Sequence, residues 1–473
     1  MIHCHNHVDR GSNIRLTDSI IKVPQLIYRA VELGNKGVAI TDHESVSAHV
    51  KAIQVVKDGK KNGKIPQDFK LILGNEIYLM DTLEYVQGET KFWHFILLAK
   101  DPVGHRQLRE LSSLAWDNYF RTGKMERVPT LKRDLERVVR SNPGHLIASS
   151  ACLGSELDGC LLKGEEDKAL RFIHWCQEVF GQENYFLEMQ PSDSEEQVIV
   201  NKAILKISEE ERIPFIITCD AHYLKKEDRV FHKAFLNSKE EEREVDAFYA
   251  TTYLMDEEEI HSFMDSVIGT EAVNTGLGNT ELIGEMIEEY DLYHPTIVPE
   301  ADIPEFEVQH LFLNYYDRCP YIKKFAYSDN KFDRYLLYLI ENGFMQKGYY
   351  EGIPAKDFYE RIDRIEVELS EMWKVTEKIH TSISSYYIST LELIEIMWNE
   401  GDSLVGPARG SVTGMYTMYL IGLIQVNPLQ WGLPHWRHIS HEKAELSDWL
   451  NKSAYTVMYM TKCGELRNLR CLC

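Results

Sequence analysis

No run of about 18 apolar residues occurs in the 473-residue chain, so no segment reads as a membrane-crossing helix. The N-terminus reads Met1-Ile2-His3-Cys4-His5-Asn6-His7, which lacks the basic-then-apolar pattern of a secretory signal. A cytoplasmic protein with no membrane partner is expected. Nine cysteines are present, an odd number, and none has Cys-x-x-Cys spacing, which argues against a disulfide framework. Positive charge is also scarce: 52 Lys and Arg stand against 74 Asp and Glu, for a net charge of -22. That balance excludes binding of nucleic acid through general basicity. It does not exclude an enzyme of nucleic acid, because metal cations can supply local positive charge. No internal repeat is evident.

What is present is an ordinary globular composition, 44% hydrophobic and 11% aromatic, over a length that predicts two or three domains. From residue 1 to about 235, short apolar runs alternate with amphipathic stretches, the rhythm of βα units. Residues Val23–Gly34 predict a helix, with Pro24 in its first turn and Gly34 past its end. Strands are expected at Gly37–Thr41, Lys70–Leu73, Phe92–Ala99, Leu146–Ser149, Tyr185–Met189 and Phe215–Thr218, with a helix over Glu165–Phe180. Repeated βα crossovers imply a parallel barrel or a doubly wound sheet. Lys57–Lys64 reads as a solvated loop, and the acidic runs 239–245 and 256–259 as exposed faces. A Pro-punctuated connection, Pro295–Pro304, leads to a helical stretch from Asn330 to Asn399, then to the glycine-rich turn Val405–Gly414 and the apolar stretch Met415–Ile424.

Metal-type side chains recur at the ends of these strands. His5 and His7 lie at i, i+2, one face of an extended segment. Asp42-His43 follows GVAIT, Glu76 follows KLIL, Cys152 follows Leu146–Ser149, and Asp220-x-His222 follows Phe215–Thr218. Strand C-terminal ends of a parallel barrel converge on one mouth. His94 lies inside its strand, and Asp18 in the loop after His7. Each taken singly has a bland reading: a helix cap for Asp42, a core residue for Cys152 or His94. The recurrence at nearly every strand is what points to a metal site.

The ordered motifs His3-x-His5-x-His7, Thr41-Asp42-His43, Gly74-Asn75-Glu76, His94, Ser150-Ala151-Cys152-Leu153-Gly154 and Asp220-Ala221-His222-Tyr223 resemble the PHP (polymerase and histidinol phosphatase) domain. The resemblance is to the N-terminal PHP domain of the bacterial replicative DNA polymerase III alpha subunit. It implies an α/β fold: a distorted (β/α)7 barrel over residues 1–235, with up to three divalent ions. His5, His7, Glu76 and Asp220 would hold one; Glu76, His94 and Cys152 a second; Asp18, His43 and His222 a third. His3 would not be a ligand. After His7 the sequence reads Val8-Asp9-Arg10-Gly11, where the family has a polar-aromatic run. Mixed imidazole and carboxylate ligands suit Zn²⁺, Mn²⁺ or Fe²⁺, and the Cys152 thiolate tilts one position toward zinc. Ions about 3.5–4 Å apart can drive phosphoryl displacement without a protein nucleophile.

Gly406-Pro407-Ala408-Arg409-Gly410-Ser411 resembles the Gly-Ser motif of the same polymerase's palm, with Ser385–Tyr387 and Val426–Gly432 in the family's order. The resemblance implies a nucleotide-binding role for Arg409, Gly410 and Ser411, small residues admitting a triphosphate and Arg409 adding charge. Residues 236–329 would then connect the barrel to a mainly helical, partial palm/thumb region at 330–447. Polymerisation also needs paired carboxylates for Mg²⁺. The family's Asp-x-Asp-x-Asp run begins to match at Ser447-Asp448, and Trp449-Leu450-Asn451-Lys452 stands where the rest would be. Residues 448–473 read as an aberrant tail, from an altered frame or a split gene. The expected function is a metal-dependent phosphodiesterase, a 3′–5′ proofreading exonuclease acting on DNA in replication, alongside other replisome subunits and without polymerase activity. The alternatives are a metal-braced structural or docking domain and a small-molecule phosphatase.

Overall fold

The computed structural model describes residues 1–9, 18–87, 89–122, 125–238, 248–293 and 297–443. Two compact units divide the chain, Met1–Leu292 and Tyr293–Cys473. In the first, strands β1 (Ile2–His3), β2 (Gly37–Ile40), β3 (Lys70–Met80), β4 (Trp93–Ala99), β5 (Phe120–Thr122), β6 (Met125–Arg127), β7 (Thr130–Leu131), β8 (Leu146–Ser149), β9 (Tyr185–Met189) and β10 (Phe215–Ile217) occur in chain order. The main sheet runs β1-β2-β3-β4-β8-β9-β10, with β7 against the end of β3, while β5 and β6 form a separate hairpin. Beyond β10, Ala221 bridges in parallel to Asn6 beyond β1. His7 donates its N–H to the Ala221 carbonyl at 3.0 Å. The seven strands thus curl toward closure, the distorted barrel that the resemblance implied.

The strands are legible because both faces are covered: every residue of β2, β8, β9 and β10 is buried. Helices lie outside. Residues Val23–Glu32 turn Leu26, Ile27 and Ala30, all fully buried, toward Val38 and Ile40. Burial of each such Leu or Ile contributes about 1.5–3 kcal/mol. One strand departs from the expected parallel pattern. β4 is antiparallel to both β3 and β8. Among the described residues the connection from Met80 to Trp93 contains no helix, the usual means of a parallel return.

Lys57–Lys64 is not a loop throughout. The helix His49–Lys61 includes Lys57, Lys60 and Lys61, because Ala52, Ile53, Val55, Val56 and Gly59 bury its inner face. Gly59 packs so closely that an added Cβ would lie 2.3 Å from Ile65 Cδ1. The compact unit also continues past residue 235, where the sequence was read as a connection. Helices Glu257–Ile268 and Thr270–Met286 belong to it. The second brings Gly276 against Ile217 and Phe215, and Thr280 Oγ1 accepts the Ile2 N–H at 2.9 Å.

The second unit is helical over Pro320–Ala326, Lys331–Gln346, Ala355–Ile379, Ser384–Asn399 and Tyr416–Leu420. Its core joins Phe312, Phe325, Leu336, Leu337, Ile340, Ile365, Leu369, Met372, Tyr387 and Met418. Buried carboxylates brace it. Glu368 accepts from the Tyr416 and Thr417 amides at 2.7 and 2.8 Å, satisfying the start of the last helix. Arg364 pairs with Glu368 at 2.6 Å and reaches the Gly414 and Leu433 carbonyls. Among the described residues no helix is long and apolar enough to cross a membrane.

Candidate metal centre at the barrel mouth

All nine residues expected as ligands stand at one end of the barrel, linked by contacts under 4 Å. Glu76 is at the middle. Its Oε1 lies 2.8 Å from His94 Nδ1, 3.7 Å from His5 Nε2 and 3.9 Å from Cys152 Sγ. Its Oε2 lies 2.8 Å from His43 Nδ1 and 3.2 Å from His7 Nε2. Asp220 Oδ1 is 3.2 Å from His5 Nε2 and 3.1 Å from His7 Nε2. Asp18 Oδ2 stands 3.5 Å from His222 Nε2, 3.7 Å from His43 Nε2 and 3.8 Å from His7 Nδ1. Cys152 Sγ is 3.3 Å from His94 Nδ1.

The antiparallel course of β4 explains His94. It pairs with Tyr78 near the end of β3, so the start of β4 reaches the mouth to which parallel strands bring their ends. Glu76 sits within the long β3, and its N–H donates to the Asp42 carbonyl, which brings His43 alongside. Three non-glycine residues here adopt left-handed backbone: Glu44 (φ 48°), Ala151 (φ 64°) and Asp220 (φ 47°). They adjoin His43, adjoin Cys152, and form one of the candidates. Such conformations persist where surrounding structure holds them and cluster at functional sites.

Ligand-sized groupings can be read from the donor atoms: His7, Asp18, His43 and His222; His5, His7 and Glu76; and His43, Glu76 and His94. They differ from the sets implied by resemblance: His7 also joins the Asp18 group, His43 also faces Glu76, and Asp220 and Cys152 fall in none of the groupings. The donors suit cations. His7 Nδ1, Glu76 Oε2, Asp220 Oδ1 and His222 Nε2 are buried with no hydrogen bond among the described residues. Glu76 Oε2 is nevertheless within 3.2 Å of two imidazole nitrogens.

The electrostatics agree. Burial would lower the His7 pKa, yet the adjacent Asp220 and Glu76 carboxylates raise it to about 10. Burial likewise opposes the charge on His5, and Asp220, Glu188 and Glu76 hold it well above its ordinary range. Glu76 is held well below the usual carboxylate range despite burial, chiefly by His43, His94 and His5. Burial pushes the Cys152 thiol up, with Asp220 and Glu76 adding to the effect. A field that protonates imidazoles and resists a thiolate is one that asks for cations.

One functional residue was not identified from the sequence. Glu188, in β9, accepts from His5 Nδ1 at 2.7 Å, from Ser149 Oγ and Thr218 Oγ1 at 2.5 Å each, and from Gln190 Nε2 at 3.2 Å. It turns His5 Nε2 toward the cluster, as a carboxylate behind a metal-binding imidazole does. The available signal was a lone acid in the fully buried strand Tyr185–Met189. His222 is fixed similarly, donating from Nδ1 to the Asp220 carbonyl at 2.7 Å, which leaves Nε2 facing Asp18. Tyr78 stacks on His43, centroids 5.2 Å apart. Asp42 is not among the clustered donors; its Oδ1 accepts the Val8 N–H at 2.8 Å, anchoring the chain after His7.

In the second unit, the glycine-rich turn has Gly410 at φ 73° before the short helix Ser411–Gly414. Ser411 Oγ lies 3.2 Å from His438 Nδ1. Arg409 and Gly410 are exposed, so this face of the turn is open. Ser447 and Asp448 lie outside the described residues, as does the expected tail.

A PHP domain family matches residues 3–192, and the family described as bacterial DNA polymerase III alpha NTPase domain matches residues 334–449. The chain is 49% identical over 470 residues to the "Probable DNA polymerase YorL" of Bacillus subtilis strain 168, covering 95% of this chain and 36% of that one. It is 26% identical to DNA polymerase III subunit alpha of Borreliella burgdorferi, covering 94% of this chain and 34% of the other. The counterpart of Aquifex aeolicus is 25% identical, with 94% and 35% covered. The chain thus spans about a third of the length of these relatives.

Proposed function

Because the chain matches a PHP domain family over residues 3–192 and the bacterial DNA polymerase III alpha NTPase domain family over 334–449, we propose that its barrel mouth is a multi-ion phosphodiesterase centre acting as a 3′–5′ exonuclease on DNA. The observation that carries the reading is the clustering of nine metal-type side chains at the barrel mouth, seven of them in ligand-sized groups, with buried atoms that lack hydrogen-bond partners among the described residues. Divalent ions held there would supply Lewis acidity and counter-charge for a phosphodiester. His5, His7, Glu76 and Asp220 would hold one; Glu76, His94 and Cys152 a second; Asp18, His43 and His222 a third. Zn²⁺, Mn²⁺ or Fe²⁺ suits the mixed donors.

The chain's own residues do the positioning. Glu188 keeps His5 Nδ1 occupied, and the Asp220 carbonyl does the same for His222. Tyr78 limits rotation of the His43 ring. His94, with 14% of its side chain exposed, marks the side from which a phosphodiester enters. No serine nucleophile is part of the cluster. Incubation with Mn²⁺ or Zn²⁺ and a 5′-labelled single strand should yield stepwise shortening from the 3′ end. Equal shortening by wild type and His7→Ala, or none by either, would overturn the reading.

A second reading rests on burial. His5, His7, Glu76, Asp220 and His222 are each at most 2% exposed, as in a site that only braces a fold. Metal-dependent stability without turnover would favour it. For the second unit we propose that Arg409, Gly410 and Ser411 face nucleotide phosphates. Residues 447–452 offer only Asp448 where the family has three aspartates, so this chain by itself does not extend a primer. Templated extension by the purified chain with Mg²⁺ would refute that statement.

A further inference from the structure

Beyond the ligands, the same end of the barrel carries an aromatic surface. The segment joining β3 to β4 presents Tyr85 and Phe92, and the β5–β6 hairpin presents Phe120 and Arg127. Ring centroids are 6.3 Å apart for Tyr85–Phe92, 6.0 Å for Tyr85–Phe120 and 6.0 Å for Phe92–Phe120. The Arg127 guanidinium lies over the Phe92 ring at 4.3 Å and is in register with Phe120 across the hairpin. Tyr85 is 38% exposed, beside Leu83 at 42% and Val86 at 50%. Phe92 is two residues before His94, so the surface begins within about 7 Å of chain from a candidate ligand.

Three aromatic rings and one guanidinium plane gathered beside a phosphodiesterase mouth have a definite use. Bases present π-faces whatever their identity, and aromatic side chains with arginine form sequence-tolerant platforms for single strands. Nothing in metal binding requires them, since none lies among the clustered donors. The chain's net charge of -22 gives little general attraction for a phosphate backbone away from the ions, so stacking is the source of affinity for the bases. We propose that Tyr85, Phe92, Phe120 and Arg127 form a stacking platform that holds the bases of a single-stranded nucleic acid next to its 3′ end, delivering the terminal phosphodiester to the site beside His94. The proposal rests on the phosphodiesterase reading.

The test is fluorescence anisotropy with the full metal-loaded chain and a labelled, phosphorothioate-linked single strand, which binds without being cut. Tyr85→Ala should weaken binding roughly tenfold, and Tyr85→Phe should restore it, because one stacked base accounts for about that much. Tyr85→Leu should behave like the alanine variant; leucine restoring full affinity would mean a merely apolar contact and would overturn the platform. Unchanged binding in Tyr85→Ala with Phe120→Leu would also overturn it. So would a change in sedimentation coefficient on Tyr85→Ala without a change in binding, since the surface would then join copies of the chain. The two readings separate cleanly: a wild-type chain that binds this strand but leaves an ordinary strand uncut refutes the hydrolytic reading alone.

Discussion

Glu188 offers a sharp test of how the site is built, because it touches the cluster only through His5. Replacing it with glutamine keeps the shape and removes the charge. In the wild type, Oε1 takes His5 Nδ1, Thr218 Oγ1 and Gln190 Nε2, and Oε2 takes Ser149 Oγ. A glutamine carbonyl at the Oε1 position retains the His5 bond, while its amide can donate to a rotated Ser149 hydroxyl. What is lost is charge assistance, the difference between a charged hydrogen bond of about 1.5–3 kcal/mol and a neutral one of about 0.5–1.5 kcal/mol. That difference, with looser aim of the imidazole, corresponds to a loss of roughly tenfold to a hundredfold in metal affinity. Competition of Zn²⁺ or Mn²⁺ between the metal-stripped protein and a chromophoric chelator measures it directly. A melting curve of the metal-free variant controls for folding. Affinity within about threefold of wild type would refute the reasoning, since His5 would then need no carboxylate behind it.

Three further outcomes follow from packing and burial. In Gly343→Ala the new Cβ would stand 2.0 Å from the Leu420 carbonyl oxygen, so urea unfolding should show the helical unit destabilised by about 1–3 kcal/mol. Glu368→Ala removes the counter-charge of the half-buried Arg364 and the acceptor of two helix-starting amides, with an expected cost of about 3–5 kcal/mol in the same assay. Asp158 is buried with both carboxylate oxygens lacking a hydrogen bond, and burial raises its pKa well above the usual value. The folded state then binds the extra proton, so this contribution is present below the unfolded pKa of about 4 and is lost as pH rises toward the folded value. Asp158→Asn should therefore gain stability relative to wild type as pH is raised above about 4, by up to about 1.4 kcal/mol per pH unit across that window; parallel pH profiles would contradict the assignment.

The strands and the ligand order were legible because each is a local pattern. Leu146–Ser149 and Tyr185–Met189 are short apolar runs buried on both faces, and their bounds match the structure. The direction of β4 was not legible, since reversal depends on which neighbour it pairs with, and that is a property of the sheet. His94 could therefore be placed in a strand but not at the mouth. Glu188 escaped notice because its partners, Ser149 and Thr218, come from β8 and from just past β10. The helix His49–Lys61 was hidden by its lysines, whose stems leave the helix while Val56 and Gly59 face inward. The extension of the barrel unit to helix Thr270–Met286 escaped for a related reason: Gly276 and Gly284 matter as contact points for Ile217 and Ile2.

Native mass spectrometry of the purified chain, counting bound divalent ions, bears most directly on the central claim. Two or three ions per chain are expected for the wild type, with fewer in Glu76→Gln, because Glu76 faces imidazoles from both sides. A wild-type chain with no ions, or a Glu76→Gln chain with the full complement, would contradict the account.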